Sequence, residues 1–166
     1  MKIAVISDCH DNISRIKQVL EIVKNEKIDV IISCGDLGNP STIDEIINNF
    51  EGKFYTCLGN ADIGLDNINN KNVKVFPKIG LIKLEGKNIY FVHKKEDIYL
   101  NLNEFKNADI IFYGHDHKPW IETIKIKNLK LKNIYIANPG NVAGLIYPPT
   151  FAIYNLENNK LKLIKL

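Results

Sequence analysis

The sequence predicts an α/β protein in which two mixed β-sheets pack as a sandwich flanked by helices. Three observations carry this expectation. The first half alternates short, continuous apolar runs with amphipathic segments, the pattern of βαβ units whose strands are buried on both faces. Each of those runs stops at a polar or glycine-bearing loop. The second half is instead rich in strand-like segments joined by turns.

Residues Lys2 to Ser7 form the first run, with Ile3, Ala4, Val5 and Ile6 continuous enough for a strand covered on both sides. The polar segment Asp8 to Asn12 follows. Asn12 can cap a helix whose residues Ile13, Ile16, Val19, Leu20 and Val23 recur at helical spacing, while Arg15, Lys17, Gln18 and Lys24 take the wet side. Asp29 to Cys34 is the second strand, closed by Gly35-Asp36-Leu37-Gly38, and Ser41 to Phe50 reads as a short helix. Lys53 to Leu58 is the third strand, closed by Gly59-Asn60-Ala61-Asp62. In open α/β sheets ligands bind at the carboxyl ends of strands, where these loops lie.

Ile63 to Asn72 is Asn-rich and reads as an exposed loop. Gly80 to Leu84 and Asn88 to His93 form a hairpin around Glu85-Gly86-Lys87. Ile98 to Asn107 reads as a short helix, and Asp109 to Tyr113 as a buried strand ended by Gly114-His115-Asp116-His117. Trp120 to Lys127, Leu131 to Ala137, Thr150 to Leu156 and Leu161 to Leu166 read as antiparallel strands, with turns at Asn138-Pro139-Gly140 and Asn158-Asn159. No repeat with a period of about 20 to 50 residues is present, which argues against a solenoid.

A chain of 166 residues fits one compact domain, expected to span residues 1–166. Its 45% hydrophobic and 25% charged content is that of a globular protein and excludes a disordered one. The net charge is +3, yet Arg15 is the only arginine among 22 basic residues, and the lysines are dispersed. Groove readers favour the bidentate fork of arginine, so no specific nucleic-acid binding is expected. Cys9, Cys34 and Cys57 are odd in number and lack CxxC spacing, and no signal segment precedes the first strand. Together these point to a reducing cytoplasm. No apolar stretch approaches the roughly 18 to 20 residues that span a bilayer. The apolar run Val142 to Pro149 suggests a contact between copies of the chain, and with it a homo-oligomer.

All four histidines, His10, His93, His115 and His117, fall at or just beyond the end of an apolar strand. One such histidine is more often structural; four at strand ends point to a shared site. Asp8 and His10 are two residues apart, so a locally extended backbone would direct both the same way and Cys9 the other. His115 and His117 repeat that spacing, and Gly114 lets the backbone bend close to an ion. Asp36 offers a carboxylate that can bridge two ions, and Asn60 a neutral amide oxygen. Taken singly, Gly-Asp and Gly-Asn are ordinary turn dipeptides.

Taken in order, the series Asp8-Cys9-His10, Gly35-Asp36, Gly59-Asn60-Ala61-Asp62, His93 and Gly114-His115-Asp116-His117 resembles the calcineurin-like metallophosphoesterase family. It is most similar to the short bacterial and archaeal phosphodiesterase branch, and Asn138-Pro139-Gly140 resembles a loop of that branch. The resemblance implies one ion held by Asp8, His10, Asp36 and His117, and another by Asp36, Asn60, His93 and His115, with Asp36 bridging. It implies catalytic roles for Asn60, Asp36 and His93 and a small phosphodiester or phosphoester substrate. Mixed imidazole and oxygen ligands suit manganese, iron, cobalt, nickel or zinc better than magnesium or calcium, and two divalent ions, manganese first among these, are the expected cofactors. Two ions about 3.5 to 4 Å apart would activate a bridging water and neutralise the phosphoryl oxygens.

Two positions depart from the family pattern. Many relatives carry a histidine resembling a general acid after the motif asparagine, where this chain has Ala61; an exposed, ionised Asp62 would be a poor donor in its place. His93 is followed by Lys94 and Lys95, where relatives usually have glycine. Lys94 could crowd an ion or bind a substrate phosphate, and a solvated lysine pair is the plain alternative. Two rival readings follow: a catalytically weak metal-binding scaffold resembling the retromer subunit of this family, and a nucleotide-binding module. The absence of Gly-x-Gly-x-x-Gly and Walker sequences weighs against the second.

Overall fold

The computed structural model describes residues 1–66, 68–125 and 133–166. Along the chain run β1 (Lys2–Ile6), α1 (Ile13–Asn25), β2 (Val30–Ser33), α2 (Pro40–Asn49), β3 (Lys53–Cys57), β4 (Val73–Phe76), β5 (Gly80–Leu84) and β6 (Lys87–Phe91). They are followed by α3 (Lys95–Leu100), a 3₁₀ turn at Glu104–Asn107, β7 (Ile110–Phe112), β8 (Trp120–Lys125), β9 (Asn133–Asn138), β10 (Thr150–Asn155) and β11 (Lys160–Lys165). Two mixed sheets result, ordered β11-β10-β1-β2-β3-β4 and β5-β6-β7-β9-β8. This is the expected α/β architecture.

Alternation within each central strand explains the packing. In β1, Ile3 and Val5 face the second sheet, where they join Val30 and Ile32 against Phe91, Ile110 and Phe112. Ala4 and Ile6 face outward, under the Ile16, Val19, Leu20 and Val23 stripe of α1 and Ile43 and Ile46 of α2. Both faces are thus dry, which is why the run is continuously apolar; each such side chain contributes about 1.5–3 kcal/mol on burial. The outer face of the second sheet is covered by Ile98 of α3 and by Phe105.

Helix α1 begins where expected: the Asn12 side chain accepts from the Arg15 amide at 3.2 Å. It ends with Lys27 in the left-handed region and the Ile28 amide donating to the Val23 carbonyl, a Schellman-type stop. Helix α2 starts one residue earlier than expected, because Asn39 caps it and Pro40 fits its first turn.

Several expectations are corrected. Strand β4 was not foreseen; it is short, only partly buried, and pairs in parallel with β3. The Ile63 to Asn72 loop is not wholly exposed, since Leu65 is buried in the α1 and α2 core; Asn67 lies outside the described residues. The single helix expected over Ile98 to Asn107 is α3 plus the 3₁₀ turn. Asn101 leaves helical geometry between them, and its side chain donates to the Asp97 carbonyl at 2.8 Å. β9 is antiparallel to β8 but parallel to β7, so not all the later strands pair antiparallel. The expected continuation of β8 to Lys127 and the start of β9 at Leu131 lie outside the described residues.

The site follows from direction. β1, β2 and β3 are parallel, as are β6, β7 and β9. Their carboxyl ends meet: the Asp8 amide donates to the Gly35 carbonyl, Gly114 to His93, and Val142 to Ser7.

Candidate metal centre

The seven residues singled out as ligands converge at these strand ends. Asp8, His10 and His117 form one group and Asp36, His93 and His115 another, each with its potential ligand atoms within 4.8 Å of one another. Asn60 joins the second, its Oδ1 3.0 Å from His93 Nε2. Asp8, Asp36 and His93 are buried at the floor, His10 and His117 half-buried, and Asn60 and His115 exposed at the rim. The site is therefore open to solvent on the side of Asn60 and His115.

The backbone achieves this differently from the extended geometry expected. Asp8, His10, Asp36, His115 and His117 all have positive φ, between 43° and 67°. Left-handed geometry costs a non-glycine residue of order 1–3 kcal/mol, and such strain collects at functional sites. It is overdetermined here by close approach. A Cβ on Gly114 would lie 1.9 Å from Ser7 Oγ, and one on Gly59 would lie 2.1 Å from Asp36 Oδ1. Neither loop could draw in so far with a side chain at these glycines.

Hydrogen bonds decide which ligand atoms face the cleft. Asp8 Oδ2 accepts from Ser7 Oγ at 2.5 Å and from the His115 amide at 3.1 Å. Its other oxygen, Oδ1, is buried with no hydrogen-bond partner among the described residues, 3.3 Å from His117 Nε2. Asp36 Oδ1 is held by the Ala61 amide at 2.7 Å, leaving Oδ2 3.3 Å from His93 Nε2 and 3.8 Å from His10 Nε2. One oxygen of Asp36, rather than its two, therefore lies between the groups. His93 Nδ1 donates to the Cys34 carbonyl at 2.9 Å and His117 Nδ1 to the Leu145 carbonyl at 3.3 Å. A carbonyl only accepts, so both rings present a lone pair at Nε2.

When these rings are neutral, acceptors thus face acceptors: His117 Nε2 is 3.3 Å from Asp8 Oδ1, and His93 Nε2 is near Asp36 Oδ2 and Asn60 Oδ1. Such an arrangement calls for cations. Burial pushes the Asp8 carboxyl above its ordinary range despite the Ser7 hydroxyl. Burial also works against ionised Asp36, but the His93 and Ala61 hydrogen bonds and the charge on His93 outweigh it and hold Asp36 low. For His93 burial disfavours the charged ring, and Asp36 outweighs it and raises the basicity. A proton on His93 satisfies Asp36 where a cation otherwise would. Cation affinity is accordingly expected to rise with pH as that proton leaves, checked by titration across the range.

Asp62 is not the exposed carboxylate that the sequence suggests. It is half-buried, and its carboxylate accepts from the amides of Asp36 and Gly59, at 3.0 and 2.7 Å, and of Gly38, at 3.0 Å. It clamps the β2 and β3 loops together. Asn138 and Asn141, both buried, play a similar part: Asn138 Nδ2 donates to the Gly114 carbonyl at 3.0 Å and Asn141 Nδ2 to the His117 carbonyl at 3.1 Å. Asp62→Ala is expected to cost about 2 kcal/mol of stability, by leaving amide donors unmet, and to weaken metal binding about 10- to 100-fold. Denaturant unfolding and metal titration read the two effects. Lost activity with stability and metal binding intact would mean a direct chemical role instead.

The lysine pair after His93 is not simply solvated. Lys95 pairs with Glu122, with its Nζ 5.7 Å from the Tyr113 ring centroid, and Lys94 is half-buried at the start of α3. The Val142 to Pro149 run is apolar at its surface only in part, since Val142 is buried while Leu145, Ile146 and Tyr147 are exposed. The three cysteines are free and buried, their thiols pushed well up by burial. Among the described residues no helix is long and apolar enough to cross a membrane.

A calcineurin-like phosphoesterase superfamily domain matches residues 1–159, and the chain belongs to that superfamily of metal-dependent hydrolases. A Methanocaldococcus jannaschii protein named Phosphodiesterase MJ0936 is 25% identical, the match covering 100% of this chain and 99% of that one. A solved structure described as a novel archaeal phosphodiesterase superposes with a TM-score of 0.84 at 23% identity, covering 100% of both chains. Vps29 of Chaetomium thermophilum superposes at 0.69 with 15% identity, over 100% of this chain and 97% of that one. The two superpositions show a shared fold.

Proposed function

We propose that this protein is a phosphodiesterase working through two divalent ions, one between Asp8, His10, Asp36 and His117 and one between Asp36, Asn60, His93 and His115. The observation that carries the reading is the pair of ligand groups flanking Asp36 Oδ2, with the buried Asp8 Oδ1 left without a donor. When bound, such ions supply Lewis acidity toward phosphoryl oxygens and a nucleophilic water at neutral pH. The chain's part is to fix geometry. Asp8 and Asp36 provide the buried anions, the carbonyls of Cys34 and Leu145 orient His93 and His117, and Asn60 and His115 stand at the rim where a phosphate arrives. Mixed nitrogen and oxygen donors suit manganese, iron, cobalt, nickel or zinc, and manganese is the ion proposed here. The name of the Methanocaldococcus jannaschii relative supports diesters as the substrate class.

A scaffold role resembling the retromer subunit rests on likeness of fold alone, and the full ligand set favours the enzyme. The test is turnover of a generic aryl phosphodiester with manganese against a metal-free control. Metal-dependent turnover supports the enzyme; metal binding without turnover supports the scaffold. The two halves separate by mutation: His117→Ala should lower one of two metal affinities and His93→Ala the other, each about 10- to 100-fold. Identical two-site titrations of the two variants would refute the division.

A further inference from the structure

Beside the centre lies a recess of about 290 Å³ lined by Lys95, Tyr113, Asp116, Lys118, Trp120 and Tyr147. It is built onto the ligands. Asp116 stands between His115 and His117, and the Asn141 side chain donates both to the His117 carbonyl, at 3.1 Å, and to the Tyr147 carbonyl, at 3.3 Å. One wall is therefore tied to a ligand residue. Trp120, the only tryptophan in the chain, is 51% exposed, and Tyr147 is 37% exposed. Large aromatics held in the open at a recess mouth leave faces on which a flat ring can stack. Lys118 Nζ lies over the Trp120 ring, 5.4 Å from its centroid, so positive charge accompanies the aromatic surface on one face of the indole and a stacking ring takes the other.

We infer that this recess binds the nucleoside of a nucleoside phosphodiester, with the base stacked on Trp120 and Tyr147 beside the metal centre. Resting on the phosphodiesterase reading above, it narrows the substrate class. A base suits the recess better than a plain aryl group because the Asp116 carboxylate in its lining can accept from an exocyclic amine. The aromatic faces supply affinity with little base selectivity, since every base has a face to stack.

The experiment compares two diesters with the same leaving group, adenosine 5′-(p-nitrophenyl) phosphate and methyl p-nitrophenyl phosphate, on the manganese-loaded protein. The nucleoside ester should show a KM about tenfold lower, and Trp120→Ala should erase that difference while leaving the methyl ester unchanged. Trp120→Phe should restore part of it, which a merely structural loss would not. Equal KM values for the two esters, or an equal loss on both in Trp120→Ala, would overturn the inference. A second measurement stands apart from turnover: Trp120 fluorescence should quench saturably with adenosine monophosphate and not with ribose 5-phosphate. If neither ester is hydrolysed but this quench is seen, the hydrolytic reading fails and the nucleoside site stands. No quench overturns the site.

Discussion

Replacing Asp36 with alanine is expected to abolish measurable turnover, a fall of at least about 10³-fold, and to remove most bound metal. The size follows from position. Asp36 Oδ2 lies 3.3 Å from His93 Nε2 and 3.8 Å from His10 Nε2, the only carboxylate oxygen in the site close to both ligand groups among the described residues. On the two-ion proposal, its loss would take a ligand from each ion and the anion that offsets their repulsion. Two-ion clamping is worth several kcal/mol of transition-state stabilisation, and each 1.36 kcal/mol is tenfold in rate. Because Asp36 is buried and receives the Ala61 amide, Asp36→Ala could also loosen the loop. Asp36→Asn keeps the shape and an oxygen acceptor but removes the charge, so it should unfold much like the wild type and still lose metal. Activity retained in both variants, measured with bound metal on the same samples, would contradict a shared ligand.

The second large effect concerns the leaving group. Ala61 offers no acid, and Asp62 is already engaged by three backbone amides, so neither motif side chain is placed to donate a proton. Wild-type rates should therefore fall steeply as the leaving-group pKa rises. Ala61→His should flatten that dependence, accelerating alkyl esters about 10²- to 10⁴-fold and activated aryl esters little. The measurement is a series of diesters of graded leaving-group pKa at fixed manganese, wild type beside variant. A wild-type rate insensitive to the leaving group, with chemistry shown to be rate-limiting, would mean that another donor serves.

Much of this was legible in the sequence because the central strands are dry on both faces and therefore read as unbroken apolar runs. The histidines were legible for a related reason: His10, His93, His115 and His117 interrupt the pattern where strands stop. What escaped depends on partners far away in the chain. Asp62 looked like an exposed turn residue because its three amide donors come from two different loops. The left-handed backbone at Asp8, His10, His115 and His117 follows from loops drawn together around Gly59 and Gly114, which no local propensity encodes. Strand β4 was missed because it is short, half-buried and paired in parallel, with no hairpin to announce it. Asn141 carried no signal beyond its type, yet it couples His117 to the loop ending in Tyr147.

We propose that one chain holds two divalent ions through overlapping ligand sets. Native mass spectrometry of the manganese-saturated protein tests it most directly. The expected result is a chain carrying two manganese ions at saturation, with Asp36→Ala shifted to one or none; a wild-type chain that saturates at one ion would rule out the two-ion centre.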